Sequence, residues 1–295
     1  MKKTVFTGAG VAIVTPFDKD NNINYNKLAE LIDYQINHST DAIIICGTSG
    51  EGPTLTHEEH AEAIRFTAKY VNKRVPVIAG TGSNDTEYAV KLSNEAEKDG
   101  VDGLLMVTPY YNKTSQTGLI KHYEYINYRV STPIILYNVP SRTGVDIKPE
   151  TYYELSKMSN IVGTKEANGD VSSMLKTLSL CGDALDLYTG NDDQIAPVMA
   201  LGGKGVISVL SNVAPKVAHD MAMAGYNGDH KKCLEMQLEY LQLCNDLFCD
   251  VNPIPVKEAM NMMGMDVGDC RLPLYEMSQS NKDKLRNTLK KYNLI

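Results

Sequence analysis

The amino-acid sequence predicts an α/β protein built as a (β/α)8 barrel, followed by a small C-terminal helical extension. Three observations support this prediction. Eight short runs rich in Val, Ile and Leu recur evenly along residues 1–224, a segment with helical periodicity follows each run, and residues 225–295 read as helices alone. Alternating strands and helices indicate a parallel sheet. Eight such units favour a closed TIM barrel over an open doubly wound sheet.

The eight apolar runs are nearly continuous, which is typical of parallel strands covered on both faces. The first run follows MKKTVFTG, where threonine and glycine interrupt the apolar residues, so we expect a strand there and no signal peptide. The predicted strands lie within residues 10–17, 41–47, 75–82, 103–110, 133–140, 161–169, 185–192 and 205–212.

The segments between the runs have the period of amphipathic helices. In NYNKLAELIDYQIN the apolar residues recur three to four positions apart. The segment THEEHAEAIRFTAKYV begins with Thr56 and has Glu59 three residues later, which is the pattern of a capping box. Three further helical segments after residue 225 form the predicted extension, so we divide the chain into a catalytic barrel of residues 1–224 and an extension of residues 225–295.

Composition excludes several classes of partner. A net charge of -7 disfavours nucleic acid, because binding to phosphates requires excess positive charge. The chain lacks a stretch of 18 consecutive apolar residues, so we expect no membrane span. The six cysteines are scattered and form no CxxC pair, which indicates a reducing cytoplasm and no thiolate metal site.

In a (β/α)8 barrel the catalytic side chains stand at the C-terminal ends of the strands. Histidine and aspartate clusters are missing from these predicted ends, so we expect neither a metal nor a Ser-His-Asp triad, and no cofactor. The groups found there are hydroxyls, phenols, one arginine and one lysine: Thr48, Ser49, Tyr110, Tyr111, Tyr137, Arg142 and Lys165.

Lys165 lies on a segment, NIVGTKEANGD, that is otherwise predicted to be buried. Lysine is seldom buried without a partner, and the neighbouring Glu166 points to the opposite face of a strand. Burial lowers the pKa of an amine, and a neutral amine adds to carbonyls to form a Schiff base. Taken from the residues alone, a structural role for Lys165 stays open beside this catalytic one.

The other strand-end groups complement a Schiff-base lysine. Tyr137, relayed through Thr48, can carry protons. The turn containing Thr48 and Ser49 can hold a carboxylate, and the planar guanidinium of Arg142 can hold a second one. Together with the lysine, these groups are the set that a class I aldolase acting on a keto acid requires.

Four motifs, GTSGEGPTLTHEEH, TPYYNK, LYNVPSRTG and GTKEANGD, occur in one order along the chain. They resemble the sequence motifs of the dihydrodipicolinate synthase and N-acetylneuraminate lyase family, and the resemblance covers essentially the whole chain. It implies a (β/α)8 barrel, a Schiff base between lysine and pyruvate, and condensation with L-aspartate 4-semialdehyde to give 4-hydroxy-tetrahydrodipicolinate. That reaction is the first committed step towards diaminopimelate and lysine.

The resemblance also implies a role for each matching residue. Lys165 would form the imine with pyruvate, and Tyr137 would donate and accept protons. Thr48 would link Tyr137 to Tyr111, which in this family comes from the neighbouring subunit of a dimer, two dimers forming a homotetramer.

The family pattern further implies the binding residues. Ser49, with the backbone of Thr48, would hold the carboxylate of pyruvate, in a pocket lined by Gly190 and Ile207. Ser49 replaces the usual threonine of this motif and keeps its hydroxyl. Arg142 would hold the carboxylate of the semialdehyde.

Two other functions are alternatives to this synthase reaction. A sibling aldolase, which cleaves N-acetylneuraminate or a 2-keto-3-deoxy sugar acid, would use the same Lys165. Arg142 favours the small charged semialdehyde, because the sialic acid lyases usually lack an arginine there. A non-catalytic barrel that binds small molecules would not need Thr48, Tyr137 and Lys165 together.

The resemblance also bears on feedback by lysine. Family members that respond to lysine bind it near the positions of His57, His60 and Tyr88. A glutamate at the position of Tyr88 would pair with the lysine ammonium, and a phenol supplies no such charge. We therefore expect a weak response to lysine.

Overall fold

Eight parallel strands pair in chain order and close into a barrel, with the first strand joined to the eighth. The computed structural model describes residues 2–295. The predicted barrel is confirmed. The strands are β1 (Gly8–Ala12), β2 (Ala42–Ile45), β3 (Val77–Gly80), β4 (Gly103–Val107), β5 (Ile134–Asn138), β6 (Ile161–Glu166), β7 (Asp186–Thr189) and β8 (Gly205–Ser208).

Seven of the eight predicted runs contain their strands, whereas β1 starts before its run, at Gly8, and ends earlier than expected, at Ala12. Its pairing with β8 begins at Gly8, opposite Gly205. The N–H of Ile13 still donates to the backbone oxygen of Ile44 on β2 at 3.1 Å, but the N–H of Val14 donates to the side-chain oxygen of Asn212 at 3.2 Å, so the chain leaves the sheet there. The apolar run therefore outlasts the strand itself.

Helices surround the barrel, and the three predicted helices of the extension follow them. None of the helices within residues 2–295 is long and apolar enough to cross a bilayer. The surrounding helices are α1 (Tyr25–Asn37), α2 (His57–Val71), α3 (Thr86–Lys98), α4 (Gln116–Asn127), α5 (Pro140–Thr143), α6 (Pro149–Ser156), α7 (Val171–Cys181), α8 (Ile195–Ala200) and α9 (Pro215–Tyr226). The extension contains α10 (His230–Asp246), α11 (Ile254–Met262) and α12 (Gln279–Lys291).

The predicted capping box at the start of α2 is confirmed. The hydroxyl of Thr56 accepts the N–H of Glu59 at 3.2 Å, and the Glu59 carboxylate accepts the N–H of Thr56 at 2.9 Å. Two backbone donors at the helix start are thereby satisfied. The predicted boundary between residues 224 and 225 lies within the last turn of α9, and the division of the chain at that point stays a prediction.

The apolar core has an outer layer between strands and helices and a separate cluster inside the barrel. At the N-terminal end of the barrel, Phe6 stacks on Tyr188 with ring centroids 4.6 Å apart. The Tyr188 hydroxyl donates to the backbone oxygen of Phe6 at 2.7 Å. The lumen is therefore filled at this end, and space for chemistry remains at the C-terminal ends of the strands.

A buried ion pair fastens the extension to the turn after β2. The Lys257 ammonium on α11 lies 2.9 Å from the Glu51 carboxylate, and both side chains are almost fully buried. The same ammonium donates to the backbone oxygens of Thr15 and Asp269 at 3.1 and 2.7 Å. The extension thus holds the GTSGE turn from outside the barrel.

Candidate active site

Lys165 lies on β6 with its side chain in the lumen, and it is only 5% exposed. It pairs in register with Tyr137 on β5. Its Nζ lies 4.2 Å from the centroid of the Tyr137 ring. The structure therefore brings together the amine and the phenol that the sequence predicts as nucleophile and proton carrier.

Glu166, the next residue of β6, faces the outer layer as predicted from strand alternation. Its carboxylate accepts hydrogen bonds from Asn138 at 2.9 Å and from the hydroxyl of Tyr152 at 2.8 Å. Burial raises its pKa to about 7, against the opposing hydrogen bonds from Tyr152, Asn168 and Asn138. The Glu166 carboxylate is therefore engaged on the outer face of β6, and Lys165 has no carboxylate partner on its own strand.

Gly190 lies beside the lysine, and Ile207 belongs to the lumen cluster. Gly190 follows β7, and a Cβ atom built on it would lie only 2.9 Å from Cε of Lys165. Its N–H donates to the backbone oxygen of Glu166 at 2.7 Å. Ile207 on β8 is fully buried and belongs to the same lumen cluster as Tyr137. Gly190 therefore bounds the space around the lysine stem, and the place of Ile207 in the pyruvate pocket stays a prediction.

The GTSGE turn after β2 has an unusual backbone. Cys46 and Glu51 both have a positive φ, of 57° and 52°, and they flank Thr48 and Ser49. A Cβ atom on Gly80 of β3 would lie 2.4 Å from the backbone oxygen of Cys46, so glycine is required where the two chains approach. The turn is thereby held close to the barrel mouth.

Asn252, in the extension, connects two predicted binding residues and was missed by reasoning from the sequence. Its amide nitrogen lies 3.1 Å from the hydroxyl of the buried Ser49. Its backbone oxygen accepts a hydrogen bond from Nη2 of Arg142 on α5 at 3.2 Å. Asn252 belongs to no strand end, and its surroundings, DVNPIP, read only as the start of a helix.

A cavity of about 480 Å³ opens beside Thr48, Tyr137 and Arg142. Among the residues within 2–295 that line it, Arg142 is the one with a permanent charge, and none is a carboxylate. Burial lowers the pKa of His60, another lining residue, and one of its ring nitrogens lies 2.8 Å from the backbone oxygen of Gly80. The cavity therefore favours an anionic ligand.

Tyr111 does not reach the other predicted residues within one chain. Its side chain is 92% exposed, the highest value among the large apolar side chains of residues 2–295. Its backbone has a φ of 65°, which is uncommon for a residue other than glycine. Its role across a subunit interface stays a prediction.

Comparisons with known proteins identify the family of this chain. The profile of the Dihydrodipicolinate synthetase family matches residues 5–292. The chain is 55% identical over 292 residues to the 4-hydroxy-tetrahydrodipicolinate synthase of Lachnoclostridium phytofermentans, covering 99% of both chains.

Solved structures of the same family share the fold of this chain. The chloride-inhibited dihydrodipicolinate synthase of Acinetobacter baumannii, complexed with pyruvate, superposes with a TM-score of 0.97 at 40% identity, over 99% of this chain and 100% of that one. A monomeric dihydrodipicolinate synthase variant superposes with a TM-score of 0.95 at 41% identity, over 99% and 98%. The chain therefore belongs to the dihydrodipicolinate synthetase family.

Proposed function

We propose that this chain is a lyase that condenses pyruvate with L-aspartate 4-semialdehyde through a Schiff base and releases 4-hydroxy-tetrahydrodipicolinate. The observation that carries the proposal is the buried Lys165, whose Nζ lies 4.2 Å from the ring centroid of Tyr137 at the mouth of the barrel. Two curated relatives named for this activity match 98% and 99% of the chain, which supports it further.

The first step joins pyruvate to the enzyme. The amine of Lys165 adds to the keto carbon of pyruvate, and the addition product loses water to form an imine. The departing oxygen needs a proton, which Tyr137 supplies and Thr48 helps to replace. A phenol suits this work because it transfers a proton without leaving a permanent charge next to the cationic imine.

The carboxylate of pyruvate binds to Ser49 and the backbone of Thr48. The hydroxyl of Ser49 is buried and lies within hydrogen-bond distance of Asn252, which restricts its rotation. Gly190 and Ile207 close the pocket around the methyl group. Small and apolar walls leave room for pyruvate and exclude water from the imine.

The second step forms the carbon–carbon bond. The imine loses a methyl proton and becomes an enamine, whose carbon attacks the aldehyde carbon, and the aldehyde oxygen takes up a proton. The amine of the former semialdehyde then adds to the imine carbon and expels the amine of Lys165, so the ring closes. One water leaves overall, in the first step. Arg142 holds the carboxylate of the semialdehyde. This role is supported because Arg142 is the one residue with a permanent charge among those that line the cavity within residues 2–295.

We also propose a homo-oligomer in which Tyr111 completes the site of the neighbouring subunit. The assignment is supported by the position of Tyr111, which has a left-handed backbone and the most exposed of the large apolar side chains within residues 2–295. A dimer of dimers is the assembly we expect. The existence of a monomeric relative makes the assembly a property to be measured for each member.

The cytoplasm is the compartment we propose. All six cysteines within residues 2–295 are free thiols in the structure. Free thiols persist in a reducing compartment.

One experiment tests the function. Pyruvate is added, the imine is reduced with borohydride, and the adduct is mapped by mass spectrometry. We expect a single adduct on Lys165, and its absence would refute the Schiff-base mechanism. Aspartate semialdehyde, N-acetylmannosamine and glyceraldehyde are then compared as acceptors. A preference for either of the latter two would instead support the sibling aldolase.

A second measurement isolates Arg142. In Arg142→Ala we expect kcat/KM for the semialdehyde to fall far more than the rate of trapping with pyruvate alone, because the arginine acts after the imine forms. Equal losses in the two rates would contradict its assigned role.

A further inference from the structure

Directly behind the catalytic pair, on the outer face of the same two strands, lies a second buried pair. Asn138 follows Tyr137 on β5, Glu166 follows Lys165 on β6, and the two are in register. Asn138 is fully buried and Glu166 is 3% exposed. Their side chains meet, with Nδ2 of Asn138 lying 2.9 and 3.2 Å from the two carboxylate oxygens of Glu166.

The contacts of Glu166 are those of a carboxylate anion. Besides the two contacts from Asn138, it accepts the hydroxyl of Tyr152 on α6 at 2.8 Å and the N–H of Asn168 at 2.9 Å. These contacts come from an amide, a phenol and a backbone N–H, and none of them from a cation. A buried charge that no cation compensates is costly. Such an arrangement in a barrel wall therefore requires an explanation beyond packing.

The pair also connects the segments that form the site. Nδ2 of Asn138 donates to Asp146 at 2.8 Å, and its side-chain oxygen accepts the N–H of Ile147 at 3.1 Å, so the loop after α5 is fixed. The backbone oxygen of Glu166 accepts the N–H of Gly190 at 2.7 Å. The side chains thus join β5 to β6 at the residues that follow Tyr137 and Lys165.

We propose that Asn138 and Glu166 are positioning residues that align Lys165 and Tyr137 for imine chemistry, and that ionised Glu166 is the working form. This inference rests on the proposed function. It assigns a role to a carboxylate that neither touches substrate nor takes part in the proton transfers.

The ionised form fits because the carboxylate accepts a hydrogen bond from each of its three neighbours, namely the Asn138 amide, the Asn168 N–H and the Tyr152 hydroxyl. A proton, or the NH2 group of a glutamine, that faces Asn138 or Asn168 meets a group that can only donate. Two titratable groups face the Glu166 carboxylate: Tyr152, which donates to it, and Asp146, which accepts a hydrogen bond from the same Asn138 amide. The Asp146 carboxylate pairs with the Lys148 ammonium at 2.6 Å. Burial is outweighed by the hydrogen bonds from Asn138 and Lys148, which leave the pKa of Asp146 below its usual value. Among the carboxylates of this network, Glu166 is therefore the one that titrates near neutral pH, its pKa being about 7.

The pH dependence follows from this value. As the pH falls through about 7, the ionised fraction of Glu166 falls, and at pH 6 it is about one tenth. We expect kcat to fall in proportion to the ionised fraction of Glu166, which gives the pH profile an acid limb near pH 7.

The first test is Glu166→Gln. We expect kcat to fall roughly tenfold to a hundredfold, as for a misplacement of the reacting groups by up to ~1 Å, and the acid limb near pH 7 to disappear. The raised pKa means that ionised Glu166 lowers the stability of the folded state at high pH, whereas glutamine does not. The melting temperature of the wild type should therefore rise relative to that of Glu166→Gln as the pH falls from about 8 to 5.

The second test is Tyr152→Phe, which keeps the shape of the side chain. Removing the donor that lowers the pKa of Glu166 should move the acid limb to a higher pH. Glu97→Gln is the matched control. Glu97 also accepts backbone N–H groups, from Ser131 at 2.9 Å and Thr132 at 3.2 Å, but at the opposite end of the barrel. Its kcat and pH profile should match those of the wild type.

Wild-type kcat and pH profile in Glu166→Gln would overturn the inference. An unmoved acid limb in Tyr152→Phe, or activity losses that only follow the loss of folded protein, would also overturn it. If the wild type itself gives no pyruvate adduct at Lys165, the proposed function fails. The positioning role is then still decided by a crystal structure of Glu166→Gln, in which we expect the separation of Nζ of Lys165 from the Tyr137 ring to depart from 4.2 Å, and an unchanged separation refutes it.

Discussion

Gly190→Ala is the sharpest test of how closely the barrel wall fits the lysine. The added Cβ atom would lie 2.9 Å from Cε and 3.2 Å from Cγ of Lys165, and 3.0 Å from Cβ of Ala167. Carbon atoms that are not bonded settle at about 3.5 Å or more. The lysine stem must therefore move by about 0.6 Å, the difference between roughly 3.5 Å and 2.9 Å.

That shift acts on the reacting atom, because Nζ follows Cε. We expect kcat/KM to fall roughly tenfold to a hundredfold, which corresponds to about 1.4 to 2.7 kcal/mol of transition-state stabilisation. The measurement is the rate of pyruvate trapping by borohydride, alongside the steady-state rate with both substrates. Trapping should slow as much as turnover, because the lysine acts in the first step.

Gly103→Ala on β4 is the matched control. Its new Cβ would lie 3.3 Å from Val5 Cγ1 and 3.4 Å from Ile78 Cγ1, which are looser contacts than that of Gly190 and lie at the other end of the barrel. Melting temperatures of both variants separate folding from chemistry. Wild-type trapping in Gly190→Ala would refute the claim that this glycine shapes the space around the amine.

Three further predictions concern the extension, the subunit interface and the response to lysine. Lys257→Ala leaves its buried carboxylate partner unpaired, so we expect the free energy of unfolding in urea to fall by about 3 to 5 kcal/mol, and a loss below ~1 kcal/mol would contradict the buried pair. The variants Tyr111→Phe and Lys165→Ala should each be nearly inactive alone. When the two are unfolded, mixed and refolded together, activity should return, because one site of a mixed dimer has an intact Lys165 and receives Tyr111 from the partner. No regain would argue against action across an interface. Lysine should inhibit weakly, since the hydroxyl of Tyr88, 3.3 Å from His57, carries no negative charge, and inhibition by sub-millimolar lysine would show this expectation to be wrong.

Much of the site was predictable because its features are local. Lys165 and Glu166 show this well: the apolar run predicts a buried strand, and alternation sends the two side chains to opposite faces. The structure confirms both. Tyr137 and Arg142 were predictable by the same reasoning, since the C-terminal ends of parallel strands meet at one end of a barrel.

Contacts between distant segments were not predictable in this way. Asn252 lies 203 residues from Ser49, with which it shares a hydrogen bond, and nothing in DVNPIP indicates that partner. The ion pair of Glu51 and Lys257 joins residues 206 apart. Neither pair has a periodicity or a spacing that a sequence could display.

The sequence by itself therefore determined the barrel, the order of its elements and the set of groups at its mouth, because periodicity and strand polarity are properties of short segments. The tertiary structure alone decided how those groups are held. It placed Gly190 against the lysine stem, Asn138 against Glu166 and the extension against the GTSGE turn. The physical reason is that such contacts depend on the packing of the closed barrel, which no single segment specifies.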